Sequence, residues 1–179
     1  DPRRGFFAGY FKNAEATNFG GLMKGQGTTD SKQDAKYYDA QSAKSATDFL
    51  ESYDRDAPFY REVGFYHPHS PYRTPVRFKE MYDEAAFQQP QAWKQPHDRN
   101  AYADLFMQEN LDSSNIELWR KTLRNYFSAF SHVDHHIGVV WDTLKASKHA
   151  QNTVVVILAD HGYHVGDKNR FRKLTLFEE

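Results

Sequence analysis

Asp160 and His161 stand side by side at the end of an apolar, β-branched run, and Gly162 follows them. A carboxylate offers hard oxygen and an imidazole offers nitrogen, a pair suited to a divalent cation. In open parallel sheets, ligands gather just beyond the carboxyl ends of the strands. Both side chains can converge there if the strand stops between them, and Gly162 favours that stop. The plainer alternative is that Asp160 caps the next turn and His161 bonds to backbone.

His67 and His69 lie in Tyr66-His67-Pro68-His69-Ser70-Pro71-Tyr72. Prolines at 68, 71 and 75 restrict their own φ and the residue before each, so the spacing predicts an extended loop. Alternate residues of an extended segment face one side. Both imidazoles would then address one anion or leaving group, and histidine is a general acid suited to neutral pH. The alternative is a surface loop with two incidental histidines. Lys168, Arg170, Arg172 and Lys173 form a basic cluster suited to a sulfate or phosphate oxyanion. At least two of these four are expected on a solvated face. His132 and His136 are spaced to share a helix face, beside Asp134 and His135. A histidine pair needs further ligands, and the sequence shows no matching constellation. Structural or surface roles are expected for this stretch.

These residues need elements to hold them. The pattern Ala43, Ala46, Phe49, Leu50 predicts a helix from Tyr37 to Tyr53, broken by Asp56-Ala57-Pro58. Phe59 to Phe65 reads as a strand leading into the histidine loop, and Val76 to Tyr82 as a short helix. The strongest pattern runs from Ser114 to Lys148. Ile116, Trp119, Leu123, Tyr126, Phe127, Phe130, Val133, Ile137, Val140, Trp141 and Leu144 make one apolar stripe. Ser113 or Ser114 can cap it, with Glu117 as capping-box partner. Thr153 to Ala159 then reads as a strand buried on both faces. Helix followed by buried strand indicates an α/β fold. Residues 1–35, rich in Gly, Asn, Lys and Thr, predict irregular structure, and 84–112 are mixed.

The chain has 179 residues, enough for a domain with a core, and a net charge of -1. That balance makes no electrostatic case for nucleic acid or an anionic membrane. No apolar run nears the roughly 18 residues of a membrane span. Asp1-Pro2-Arg3-Arg4 leads into no apolar signal segment. With no cysteine, thiolate metal sites and a cysteine nucleophile within the chain are excluded. Aromatic residues make up 16% and histidines number 9, so imidazole carries much of the available chemistry.

The run Thr153 to Lys168, followed by Arg172-Lys173-Leu174-Thr175-Leu176-Phe177-Glu178-Glu179, resembles the late metal-binding segment of the sulfatase family, in particular its iduronate-2-sulfatase-like branch. A strand leads to Asp-His-Gly, and a lysine stands thirteen residues after the Asp, as Lys173 does after Asp160. Phe127 to Asp134 with Ile137-Gly138 is similar to the family helix feeding that strand. Pro58-Phe59-Tyr60 and Val63 to Tyr72 are similar to the family's strand and His-x-Pro loop, and Asp39 to Leu50 to the helix before it. The resemblance covers most of residues 37–179.

It implies an alkaline-phosphatase-like α/β fold, a largely parallel sheet between helices, incomplete in this chain. It implies that Asp160 and His161 bind one divalent cation, usually Ca2+. It implies that His69 contacts the sulfate and protonates the leaving oxygen, and that Lys173 binds the sulfate. His67, His164 and Lys168 would lie beside the substrate. Two family features are missing: an Asp-Asp pair that completes the metal site, and the Cys/Ser-x-Pro-x-Arg motif whose Cys or Ser becomes formylglycine. Ser70-Pro71-Tyr72-Arg73 has the wrong spacing. The chain is therefore expected to be an internal part of a catalytic domain, with its nucleophile region upstream and further sequence downstream, and to be inactive alone. The implied substrate is a sulfated small molecule or polysaccharide, met in a periplasmic or secreted setting. The rival expectations are a phosphate or phosphonate ester hydrolase of the same superfamily and a non-catalytic module that binds sulfated glycans.

Overall fold

A computed structural model describes residues 31–94, 115–169 and 171–173. The chain divides into two compact units, residues 1–82 with 124–154, and residues 83–123 with 155–179.

In the first unit, a 3-10 turn over Ser31–Lys36 precedes helix α1, Tyr38–Ser52, within one residue of the expected bounds. Its buried residues Asp39, Ala43, Ala46 and Leu50 step by four, three and four, the period of one helix face. Only Asp39 departs from an apolar face. Phe59 packs edge-on to Phe49, Tyr53 and His149. Helix α2, Val76–Glu80, follows Pro75 and buries Phe78 and Lys79.

Helix α3, Ile116–Ala146, begins in the second unit and continues into the first. The expected caps Ser113 and Ser114 lie outside the described residues. Asn115 caps instead, its Oδ1 accepting the Leu118 N–H at 3.0 Å. The buried face of α3 is also rotated from the predicted apolar stripe. Trp119, Leu123, Tyr126, Val133 and Leu144 are buried, but Ile116, Phe127, Phe130 and Trp141 are exposed. Thr122, Asn125, Ser128, His132 and His136 are buried in their place. Polar groups tolerate this only when bonded. In the first unit, Lys79 Nζ donates to Asn125 Oδ1 and to the Tyr72 carbonyl, both at 3.2 Å. The Thr74 and Ser128 hydroxyls pair at 3.2 Å, and Ser128 donates to the Asn125 carbonyl.

Neither expected strand forms a ladder among the described residues. Phe59–Phe65 carries no strand, and the run expected to be buried on both faces is open: Val154 is 89% and Leu158 is 86% exposed. A strand exists through pairing, and no described segment pairs with either one. The α/β class follows from the family reported below; the described residues are mostly helical and show no parallel sheet.

The second unit holds a ladder that the sequence did not announce. Strands β1, His164–Val165, and β2, Phe171–Arg172, pair antiparallel, with His164 opposite Arg172 and Val165 opposite Phe171. The turn between them uses Gly166 at φ 130° and Lys168 at φ 49°. The Trp119 indole N–H donates to the Val165 carbonyl at 2.7 Å, and Trp93 meets Trp119 edge-on. A Cβ on Gly166 would sit 2.7 Å from that indole nitrogen, so glycine is required by both φ and space. No helix among the described residues is long and apolar enough to cross a membrane.

Candidate active site

The β1–β2 hairpin carries the segment after Gly162 back toward it. Lys173, just past β2, has its Nζ 3.0 Å from Nε2 of His161. The His161 Nδ1 donates to the Gly162 carbonyl at 2.7 Å, which leaves the lone pair on Nε2. That nitrogen is 3.6 Å from Oδ2 of Asp160, whose side chain is 89% exposed. A carboxylate oxygen and an imidazole lone pair at this separation fit neighbouring ligand positions of one cation. Two donors are a partial set, since hard cations take six or more oxygens. The residues therefore fit a cation and leave most of its sphere to be filled by other groups.

His164 is buried, and its Nδ1 faces Asp167 Oδ1 and Oδ2 at 3.0 and 2.8 Å. It braces the turn from inside. Lys168 lies half-buried within that turn. Arg170 and the side chain of Arg172 fall outside the described residues.

The two loop histidines do not share a side. The His69 N–H donates to the Tyr66 carbonyl at 3.0 Å, so residues 66–69 close a turn where the proline spacing predicted an extended run. The peptide bonds before Pro68 and Pro71 are cis. His69 points outward. Its Nδ1 donates to the Ser70 carbonyl at 2.5 Å and lies 3.0 Å from the Tyr66 hydroxyl, which itself donates to Ser70. Nε2 is the nitrogen left for chemistry. His67 turns inward and is buried against Asp39.

Asp39 is fully buried at the first turn of α1. One oxygen accepts from the Tyr66 backbone N–H at 2.5 Å; the other meets the His67 ring and lies 3.6 Å from Nδ1 of His132. The Nδ1 atoms of His132 and His67 are 3.2 Å apart, and His132 Nε2 is 3.2 Å from His136 Nε2. Burial opposes the charge on Asp39, but the His132 and His67 hydrogen bonds outweigh it and hold the carboxyl well below the usual carboxylate range. Burial pushes His132 down, more than its bond to Asp39 raises it. Burial, then the neighbouring His132 and His135, pushes His136 down to about 3. An anionic carboxylate thus stands beside a His132 ring that burial holds neutral at neutral pH. The i, i+4 spacing of His132 and His136 was legible in the sequence. Their partners, on α1 and 65 residues upstream in the loop, were not.

The sulfatase family model matches residues 3–177. A sulfatase of Formosa agariphila is 34% identical over 129 residues, covering 68% of this chain and 25% of the relative. An arylsulfatase of Clostridium perfringens is 30% identical over 134 residues, 73% of this chain and 27% of the relative. Iduronate 2-sulfatase of Mus musculus is 27% identical over 158 residues, 78% of this chain and 28% of the relative. The chain spans about a quarter of the length of these relatives. The family is generally metal-dependent and has the alkaline-phosphatase-like α/β fold. With a family match over nearly its whole length, this chain belongs to the sulfatase family.

Proposed function

We propose that this chain supplies the late half of the active site of a metal-dependent sulfuric ester hydrolase acting on a sulfated sugar or polysaccharide. The observation that carries the reading is the Asp160–His161–Lys173 grouping, brought together by a hairpin whose turn depends on Gly166. The name iduronate 2-sulfatase supports a sugar substrate, while the names arylsulfatase and choline-sulfatase support sulfate esters more broadly.

In this reading Asp160 and His161 would hold a divalent cation, taken to be Ca2+, which would supply positive charge to a bound sulfate. Lys173, beside His161, shares that anion. His69 presents Nε2 outward and protonates the departing alcohol as the sulfur–oxygen bond breaks. Lys168 stands beside the substrate, on a turn that the buried His164 braces through Asp167. The buried His67 serves the loop that presents His69. The nucleophile that bonds to sulfur, a formylglycine hydrate in this family reading, and the Asp-Asp pair come from outside this chain. The apolar run Val154–Leu158 becomes a central strand when neighbouring strands of the domain cover it, in a largely parallel sheet. The 179 residues alone are expected to show no turnover.

The experiment compares sulfate and phosphate esters as substrates of the full-length protein, in wild type and in His69→Ala and Lys173→Ala. Sulfate-ester turnover that falls sharply in both variants is the expected result. Turnover of phosphate or phosphonate esters alone, or binding of sulfated glycan with no turnover, would overturn the reading in favour of one of the two rivals.

A further inference from the structure

The buried cluster of Asp39, His67 and His132 is separate in composition from the Asp160–His161 pair and has no task in the chemistry above. We propose that Asp39 Oδ2, His67 Nδ1 and His132 Nδ1 form a second, internal metal site for a borderline transition ion of the Zn2+ type. This inference stands independently of the sulfatase reading.

Residue type is the first argument. Two imidazole nitrogens and one carboxylate oxygen are the donors Zn2+ takes in three-ligand protein sites, and they are poorly suited to Ca2+, which prefers oxygen throughout. Convergence is the second. All three ligand atoms lie within 4.8 Å of one another. Donors about 2.0–2.1 Å from one tetrahedral ion are roughly 3.3 Å apart. The His132–His67 and His132–Asp39 separations are 3.2 and 3.6 Å, and His67 and Asp39 are closer still. Small adjustments admit an ion, and the fourth position is left for water or another small ligand.

The surroundings give a third argument. Metal-bound histidines commonly hand their second ring nitrogen to another acceptor. His132 does this, with Nε2 set 3.2 Å from His136 Nε2. Tyr37 and Phe78 stand edge-on to the His132 ring at 5.0 and 5.2 Å and give the cluster an apolar jacket. Asp39 is held from the other side by the Tyr66 N–H, so its orientation does not depend on the ion. Among the described residues its ion-pair partners are His67 and His132, which are themselves ligand types for such an ion. The ion would tie α1, the histidine loop and α3 at one point. It would set the loop that carries His69 without touching substrate.

The test uses the full-length protein, stripped with a chelator and titrated with Co2+ and with Zn2+. Wild type and Asp160→Asn should each take up about one equivalent with the visible absorption of tetrahedral cobalt. His132→Phe, which keeps a ring in the aromatic jacket, and Asp39→Asn should lose that absorption while circular dichroism shows the helices intact. Loss of the band in Asp160→Asn with retention in His132→Phe would overturn the proposal. So would a wild-type protein that binds neither ion at this stoichiometry, a result independent of how any variant folds.

Discussion

The Nζ of Lys173 lies 3.0 Å from Nε2 of His161, and the other ring nitrogen of His161 is tied to the Gly162 carbonyl. An ammonium therefore stands beside the lone pair that a cation would use. An anion drawn to a cation held there would meet the ammonium at the same time. Removing either positive element should weaken the site for charge developing on sulfate. Lys173→Met in the full-length protein is expected to lower kcat/KM for sulfate esters by about 100- to 1,000-fold. Lys173→Arg should recover part of the loss. Steady-state kinetics on both variants check this, and an unchanged Lys173→Met enzyme would remove Lys173 from the site.

The cation should be separable from the fold of the hairpin. Chelation of the full-length protein is expected to abolish turnover, with Ca2+ restoring it. Asp160→Asn should raise the Ca2+ concentration needed by about tenfold or more, because it removes one charged oxygen from the donor set. Activity that persists through exhaustive chelation would contradict this.

His69 offers a sharper discrimination. A general acid matters most when the leaving alcohol is poor. His69→Ala should cost about 100- to 10,000-fold in kcat on a sugar sulfate and much less on an activated aryl sulfate, whose phenolate leaves unaided. Equal losses on both substrates would assign His69 to binding instead.

Gly166 combines φ 130° with an indole nitrogen 2.7 Å from where a Cβ would stand. Gly166→Ala must both strain the backbone and displace Trp119, which also donates to Val165. The expected destabilisation is about 1–3 kcal/mol, read from urea denaturation. Trp119→Phe, which removes half of a buried indole together with its N–H, should cost about 2–3 kcal/mol.

Lys79 predicts a pH dependence of stability. Burial, and after it the charge of Arg124, pushes it down to about 7, against 10.5 for an ordinary lysine. Between those values the unfolded chain binds a proton that the folded chain does not, so stability from this group rises with pH. Below pH 7 the full penalty applies. Relative to wild type, the Tm of Lys79→Met should be most favourable at pH 6.5, and that relative advantage should shrink steadily toward pH 10. Thermal denaturation across that range checks the trend; an advantage constant with pH would refute it.

Much of this molecule was legible in the amino-acid order because it is local. The helices over Tyr38–Ser52, Val76–Glu80 and most of Ile116–Ala146 follow from side-chain period and breakers, which act over a few residues. Residue type, spacing and family resemblance singled out Asp160, His161, His69 and Lys173 as the candidates for the proposed chemistry. Tertiary structure decided the rest, because it depends on partners distant in sequence. It turned His67 inward onto Asp39 while His69 stayed outside, since the Asp39 carboxylate on α1 accepts from the Tyr66 and His67 backbone N–H groups and meets the His67 ring. It rotated the buried face of α3 so that His132 and His136 entered the interior, where Asp39 and His67 meet them. It left Val154–Leu158 exposed, because an apolar run becomes a strand only when other strands pair with it. Periodicity reports which side chains can be buried; only the folded chain determines which are buried and against what.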